Sequence, residues 1–406
     1  MQYTTKIRKT LCSILVLVCS FAILCQNACA ISQYSGAVTE NVMLHSFSNF
    51  SSKLAAQTKC SADGIDADLS RFDQRMVSKD RSEVKECLRL IEGALHSYVE
   101  RGDEDGVMLC LHLVRELADQ TRVNQGNHNT CAIAALETKL YTMNPSAVCR
   151  LVIQAKTGSI HSADGIVTVI PAKCIAPDRE AQLFTPDSIY RSYSSQLFQI
   201  AVANVYWQRQ VVDPRGIKVP LGSIRFVQED GAGIFSGDTR ERLIINWAEG
   251  IREFVAGANN MPESGPAFTM HCINRAYELV TGQKCETFIL SHRSFGQNKN
   301  AMIFSDVNDL SKKLAELKNA GKLPAIIAIS PQGSFIQTIP KLVLLRESGA
   351  PAPPKNTGAW HVVCIHDFHA ETGEVNIDNF WGPGSDYLND RSLTIAQLYG
   401  STCFKK

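Results

Sequence analysis

The sequence predicts an α+β fold, with helices concentrated before residue 320 and strands after it. Apolar residues recur at helical spacing between 82 and 118, and an Ala- and Leu-rich run covers 131–143. Near the C-terminus, β-branched residues dominate 360–369 and return in 374–381 after a glycine-containing turn, which is typical of a β-hairpin. Together these patterns predict a helical part combined with an antiparallel strand pair.

Length and charge limit the possible number of domains and the kinds of partner. The 406 residues are enough for one large domain with additions, or for two domains. The 41 basic and 40 acidic side chains nearly cancel, so nothing indicates a nucleic-acid partner or a strongly charged surface. We expect a globular protein without a nucleic-acid partner.

The first 30 residues have the pattern of a secretory signal peptide. Basic residues among the first nine precede an apolar run from 11 to 24, and Ala28-Cys29-Ala30 supplies small residues for cleavage. The run is too short to favour a membrane span, although an uncleaved anchor is the alternative. We expect residues 1–30 to be removed, the protein to be secreted or periplasmic, and no stable membrane association after cleavage.

Residues 31–118 form an N-terminal region. From 31 to about 78 the sequence is polar and lacks a strong period, which predicts a loosely ordered lead-in. One amphipathic helix from 82, an acidic turn and a second helix up to 118 then predict an αα-hairpin. Cys87 and Cys110 lie on its two arms and could form a disulfide, because export implies an oxidising compartment.

The middle of the chain predicts further helices and strands. Residues 194–208 are apolar nearly all round, which is typical of a buried helix. Asp306 can cap a helix that runs through Lys318. Other predicted elements are helices at 240–255 and 267–280, strands at 165–170 and 325–329, and a proline-rich surface loop or flap at 349–357.

Cys131 opens the helix predicted at 131–143. Asn129 and Thr130 are capping residues before it, and Asn144-Pro145 ends it. Unpaired N–H groups and the helix dipole favour an anion in the first turn, so we expect a lowered thiol pKa and a nucleophile. Gln125, six residues earlier, could donate a hydrogen bond to an oxyanion formed at Cys131. The alternative is an ordinary buried cysteine.

The C-terminal hairpin carries a histidine and polar candidates to orient it. Alternation places His361 on the opposite face of its strand from Cys364. On the return strand, Asn379 and Trp381 share a face opposite Asp378. The pairing register does not follow from the sequence, so which return-strand face lies beside His361 stays open.

Two windows of the sequence, the segment around Cys131 and the C-terminal hairpin, resemble the papain-like cysteine peptidases, calpains included. The resemblance rests on Asn124-Gln125-Gly126 followed by Cys131, on the segment around His361, and on Asn379-Phe380-Trp381-Gly382, which matches an Asn-x-Trp-Gly motif. The family usually has Gly two residues before the cysteine and Trp after it, where this chain has Asn129 and Ala132. The interval between the windows is longer than in compact members, so insertions are implied.

The resemblance implies a two-lobed fold and a secreted peptidase with a Cys-His-Asn triad. A helical lobe would carry Cys131, a β lobe would carry His361 and Asn379, and substrate would lie in the cleft between them. Cys131 would attack a peptide carbonyl, His361 would take its proton, Asn379 would orient the ring, Gln125 would hold the oxyanion, and Trp381 would cover the ring contact. The partner would be a protein or peptide substrate, and no metal or organic cofactor is required.

Several alternatives stay open for these residues. His128 could be the base, although nothing in the sequence indicates what would orient it, and Asp378 could orient the ring in place of Asn379. A metal site would use the cluster His361, Cys364, His366, Asp367 and His369, but alternation separates its members. Cys364 is expected to pack in the sheet.

The resemblance also sets the domain prediction and the alternative functions. Residues 119–406 would be the papain-like catalytic domain with insertions. Papain-like zymogens carry helical pro-regions, so 31–118 would be either a removable pro-segment or, as we favour, a helical part of the folded domain. The alternative functions are a transglutaminase-like acyl transferase, in which an amine replaces water, and a non-catalytic binding protein on a peptidase scaffold.

Overall fold

The structure is a computed structural model of the chain. It describes residues 47–76, 80–126, 128, 130–185, 190–229, 240–247, 250–255, 268, 270–284, 288–293, 301–330, 361–380 and 393–402. The predicted signal peptide at 1–30, the proline-rich segment at 349–357 and Trp381 lie outside these residues. Internal contacts divide the chain into two units, with the boundary between Asp66 and Ala67.

The N-terminal part of the described chain is helical. Helix α1 covers 47–58 and helix α2 covers Ala62–Met76. Within the first unit, the Ser51 hydroxyl donates to the Asp66 carboxylate across 2.5 Å. The prediction of a loosely ordered lead-in is therefore wrong for these residues. A sparse apolar stripe that includes Phe50 and Leu54 is enough for a helix face, since both side chains are buried.

Helices account for most of the second unit up to residue 207. The predicted αα-hairpin and the buried helix near 194–208 are confirmed, and Pro145 begins a new helix immediately after the one that Cys131 opens. The helices that follow α2 are α3 (Arg81–Glu100), α4 (Glu104–Ala118), α5 (Cys131–Met143), α6 (Pro145–Lys156), α7 (Arg179–Leu183), α8 (Tyr193–Trp207), α9 (Met270–Thr281), α10 (Val307–Asn319) and α11 (Ile395–Thr402). The Asp306 side chain accepts from the N–H of Asp309, as the predicted cap requires.

The two cysteines of the α3–α4 hairpin are not joined to each other. Both are free thiols and both are buried. Cys87 lies near the Cys149 thiol, and Cys110 donates to the Ile91 carbonyl across 3.9 Å. The structure therefore lacks the disulfide that the sequence suggested between the two arms.

The hairpin is tied to the rest of the second unit by a buried carboxylate on α4. Glu116 is 1 % exposed and accepts from Tyr141 on α5 at 2.7 Å. It also accepts from Ser192, Ser194 and Ser195, which begin α8. Ser195 also donates to Glu137 on α5. Removing this hairpin would leave the other three hydroxyl groups without this acceptor, at a cost of about 1–3 kcal/mol for each group that stays buried and unpaired.

The strands form three sheets in the described residues. β1 (Ser159–His161) pairs with β2 (Val167–Val169), and β3, β4 and β5 form an antiparallel sheet. The third sheet has six strands in the order β11-β10-β9-β8-β6-β7. The remaining bounds are β3 (Ile224–Glu229), β4 (Arg240–Trp247), β5 (Gly250–Val255), β6 (Ile289–His292), β7 (Met302–Phe304), β8 (Ala325–Ile329), β9 (His361–His369), β10 (Glu374–Asp378) and β11 (Leu393–Thr394).

The helix predicted at 240–255 is wrong, because this segment forms the β4–β5 hairpin. Apolar residues there are spaced closely enough to suit either a helix or a strand. The burial pattern decides the matter: Glu241, Leu243 and Ile245 are buried, and the residues between them are not. This period of two matches the pairing of β4 with β3 on one side and with β5 on the other.

The six-stranded sheet has helices on both faces, and β9 lies near its centre. Val363 and Ile365 of β9 belong to an apolar cluster with buried leucines of α10 and α11. On the opposite face, the Cys364 thiol donates to the Ala135 carbonyl of α5 across 3.3 Å. The α+β fold class is confirmed, and the predicted β9–β10 hairpin is present. No helix among the described residues is both long and apolar enough to cross a membrane.

Candidate active site

Cys131 is the first residue of α5 and lies against the beginning of β9. The main-chain N–H groups of Val362 and Ala132 lie near its sulfur and favour the thiolate. The Thr130 hydroxyl, which could have capped the helix, donates instead to the Gln199 side chain across 2.7 Å. The nucleophile candidate therefore touches the residue that follows His361 in the chain.

The Cys131 thiol is neutral in this environment. Burial raises its pKa to about 11, and the Glu241 carboxylate adds to the increase, while the N–H groups of Val362 and Ala132 oppose it. The prediction of a lowered thiol pKa is wrong, because the loss of thiolate hydration outweighs the N–H groups of the first turn. A thiol with this pKa has to give its proton to a base as it attacks.

Gln125 lies on the loop before Cys131 and is tied to both sequence windows. Its main-chain N–H donates to the Phe380 carbonyl across 3.0 Å. Its side-chain amide donates to the His128 carbonyl across 2.9 Å and is 8 % exposed as a residue. An amide nitrogen carries two hydrogens, so one N–H is bonded within the loop and the second can serve an oxyanion.

The loop turns at Gly126, where a side chain could not be accommodated. Gly126 has φ +64°, and the Asn124 side chain accepts from its N–H across 2.8 Å. A Cβ atom at this position would lie 1.8 Å from the Glu180 carboxylate. The Asn-Gln-Gly sequence thus shapes the turn that carries Gln125.

Gln199, on the buried helix α8, holds both ends of the nucleophile loop. Its Nε2 donates to the Asn124 carbonyl across 2.9 Å, and its Oε1 accepts from Thr130 across 2.7 Å. Arg191, which is fully buried, also donates to Oε1 at 3.0 Å. Sequence reasoning treated α8 as an apolar core helix and missed this residue. A glutamine at a fully buried helix position was the available signal, because buried amides need partners.

His361 is the first residue of β9 and is 4 % exposed. Its Nε2 lies 2.8 Å from the main-chain carbonyl oxygen of Asn379. Because a carbonyl can only accept, Nε2 must carry the proton, and Nδ1 is the basic nitrogen of the neutral ring. The main chain of Asn379 therefore contacts the far ring nitrogen, which is the position that the resemblance assigned to this residue.

Asp378 lies opposite Cys364, three residues along β9 from His361. It pairs with Cys364 across β10 and β9, and its Oδ2 lies 3.5 Å from His366 Nε2. Its Oδ1 accepts from the N–H of Phe380 across 3.1 Å. The register that the sequence left open thus places Asp378 on the Cys364 face, the face that packs on α5.

His128, the rival base, is buried between two carboxylates. Its Nε2 lies 3.8 Å from Asp178, and its Nδ1 lies 3.9 Å from Glu241. Burial and the nearby Arg191 guanidinium hold the pKa of His128 well below its ordinary value, so the ring is neutral. No local sequence pattern indicates these partners, because they lie far along the chain from His128. A cavity of about 280 Å³ lies beside the ring, and its walls include Asp178.

The histidine-rich segment of β9 does not form a metal site in the described residues. No three His, Cys, Asp or Glu side chains there lie close enough together to hold an ion. The Asp367 carboxylate forms an ion pair with Lys318, with 2.7 Å between Oδ1 and Nζ. Burial raises the pKa of the Cys364 thiol well above its usual range, and Asp378 adds to this. Cys364 packs between the sheet and α5, which confirms the prediction made for it.

Comparisons with known proteins return no relative. No family model, no curated protein and no solved structure matches the chain. The functional argument therefore rests on the chemistry and geometry of the residues described above.

Proposed function

We propose that the chain is an exported thiol hydrolase that cleaves peptide bonds, with Cys131 as nucleophile and His361 as base. One observation carries the proposal: two windows more than 200 residues apart in the sequence converge. The N–H of Val362 lies near the Cys131 sulfur, and the N–H of Gln125 donates to the Phe380 carbonyl. Two independent contacts thus join the helix-leading cysteine to the strand and turn of the histidine.

The proposed mechanism starts from a neutral thiol. His361 Nδ1 takes the proton from Cys131 as the sulfur attacks the carbonyl carbon of the substrate, and the Asn379 carbonyl stabilises the imidazolium through Nε2–H. The second N–H of Gln125 and the N–H of Cys131 bind the oxyanion. The imidazolium then protonates the leaving amine, and water activated by His361 hydrolyses the acyl-enzyme.

The proposed architecture is the papain-like one, with α5 against a sheet that carries the histidine. His361 is preferred over His128 as the base because a main-chain carbonyl fixes the protonated nitrogen of its ring. His128 Nδ1 instead faces a carboxylate oxygen. We also propose that the α3–α4 hairpin stays in the mature protein, since Glu116 binds hydroxyl groups of α5 and α8.

A labelling experiment tests the proposal. The folded protein is treated with a thiol-directed epoxide and mapped by mass spectrometry, with hydrolysis of a mixed peptide library measured in parallel. We expect labelling of Cys131 and turnover that both fall at least 100-fold in His361→Ala. Cys60, a cysteine of the same intermediate exposure, is the matched control and should label slowly in both proteins.

Other outcomes would redirect or refute the proposal. Labelling of several cysteines at similar rates, unaffected by His361→Ala, would refute it. Peptide products joined to an added primary amine, in preference to hydrolysis, would assign the site to an acyl transferase instead.

A second candidate is a non-catalytic binding protein on the same scaffold. Two observations favour this candidate. The raised pKa keeps the Cys131 thiol protonated, and the Gln125 side-chain amide already donates to the His128 carbonyl. This candidate predicts no turnover of any peptide and unchanged peptide binding in Cys131→Ala. The hydrolase predicts turnover that Cys131→Ala abolishes.

A further inference from the structure

Three consecutive residues at the end of β10 hold both halves of the candidate site. The Asn379 carbonyl accepts from His361 Nε2 at 2.8 Å, and the Phe380 carbonyl accepts from the Gln125 N–H at 3.0 Å. The Asp378 side chain accepts from the Phe380 N–H at 3.1 Å. We call residues 378–380 the clamp turn. One short segment thus sets the position of the imidazole and of the loop that leads to the nucleophile.

The clamp turn has a backbone conformation that needs support. Phe380 has φ +62°, in the left-handed region that non-glycine residues rarely adopt. Its ring is fully buried, so it cannot relax by turning into solvent. Strain of this kind persists only where the surroundings impose it, and it concentrates at functional sites. The bond from the Phe380 N–H to the Asp378 carboxylate closes an Asx turn across Asn379 and so holds the backbone that leads into Phe380.

We infer that Asp378 is a positioning residue that couples the His361 ring to the Gln125 loop. It acts through the clamp turn and not by contact with the ring, which differs from the direct orienting role considered from the sequence. If the turn opens, the Asn379 and Phe380 carbonyls move together, so the imidazole tautomer and the oxyanion loop are lost in one step. The catalytic consequence of this inference rests on the proposed function, but the coupling itself does not.

The test compares Asp378→Ala with Asp378→Asn. The amide oxygen of asparagine can still accept from the Phe380 N–H, whereas alanine cannot. Asp367→Ala is the matched control, because Asp367 lies on the same hairpin and accepts from the Phe368 N–H at 2.8 Å. The measurements are amide hydrogen exchange at Gln125, nitrogen NMR of the His361 ring, and kcat and KM for peptide hydrolysis.

We expect Asp378→Ala to raise amide exchange at Gln125 about tenfold or more and to abolish the single Nε2–H tautomer signal of His361. kcat should fall while KM changes little, since the substrate-binding surface is kept. Asp378→Asn should restore all three measurements close to wild type, and Asp367→Ala should leave them unchanged. Where Asp378→Ala lowers the folded fraction, Asp378→Glu replaces it, because the extra methylene displaces the acceptor oxygen from the Phe380 N–H.

Two results would overturn the inference: unchanged exchange at Gln125 in a folded Asp378→Ala or Asp378→Glu variant, or an Asp378→Asn variant as perturbed as Asp378→Ala. Failure of the proposed function is separable from failure of the inference. A wild-type protein that hydrolyses nothing, with exchange and tautomer responding as expected, removes the hydrolase proposal and supports the coupling. A wild-type protein that hydrolyses peptides supports the hydrolase proposal. If amide exchange and the His361 tautomer are then unchanged in Asp378→Ala, the coupling is refuted.

Discussion

The replacement of Gln199 by leucine tests how the nucleophile loop is held. Leucine has a similar volume, so little of the effect should come from a cavity. The change removes the partner of the Asn124 carbonyl, of the Thr130 hydroxyl and of one Arg191 N–H, all of them buried. At about 1–3 kcal/mol for each unpaired group, the unfolding free energy should fall by about 3–9 kcal/mol.

The expected effect on Cys131 follows from its raised pKa. Burial raises that pKa to about 11. A loop released by Gln199→Leu exposes the sulfur to water, so the thiol pKa falls toward its ordinary value and more thiolate forms at neutral pH. Alkylation of Cys131 by iodoacetamide at pH 7.5 should therefore rise about tenfold or more, while any hydrolytic turnover should fall.

Gln196→Leu is the matched control for this experiment. Gln196 lies one turn earlier on α8, is 2 % exposed, and also makes two main-chain hydrogen bonds, to the Ala176 carbonyl and the Asp178 N–H. Its loss should cost about 2–6 kcal/mol of unfolding free energy and leave Cys131 alkylation unchanged. Equal alkylation rates in the two variants, measured by mass spectrometry at matched folded fraction, would refute the reasoning.

Three further predictions follow from other contacts. Gly126→Ala should lower the unfolding free energy by about 2 kcal/mol or more in urea denaturation, because of the positive φ and the clash with Glu180; an unchanged urea midpoint would contradict this. Burial and the neighbouring Glu116 raise the pKa of Glu137 well above its ordinary value, so its stabilising contribution is present below pH ~4.3 and is lost as pH rises through the folded-state pKa. Glu137→Gln should therefore make the unfolding free energy decline less steeply with pH. An identical slope of unfolding free energy against pH in both proteins would contradict the raised pKa of Glu137. Asp306→Ala should cost about 1 kcal/mol by uncapping α10, with no effect on Cys131 labelling, and thermal melts of both proteins test the value.

Local patterns were sufficient for the elements that carry the candidate residues. The start of α5 at Cys131 and its end before Asn144 followed from capping and terminator residues. The β9–β10 hairpin followed from β-branched runs on each side of a glycine turn, and Gly373 there has φ +71°. These features depend on the chemistry of residues that are neighbours in the sequence, so they can be predicted from the sequence alone.

The features that sequence reasoning missed depend on distant partners. The 240–255 segment became strands because β3 offers an edge for pairing, which no local pattern reports. The carboxylates beside His128 come from positions 178 and 241, and the Glu241 carboxylate also raises the Cys131 pKa. The helix-start argument weighed only the local N–H groups. Desolvation by the packed sheet is a tertiary effect and proved larger.

The most direct test of the central claim is the pH dependence of Cys131 alkylation in wild type and in His361→Ala. If the His361 imidazole takes the thiol proton, the wild-type alkylation rate rises at a pH well below the thiol pKa, and this rise disappears in His361→Ala. The variant then reacts only as pH approaches the thiol pKa of about 11. Superimposable profiles, with a single rise toward that high pH in both proteins, would show that His361 does not serve Cys131.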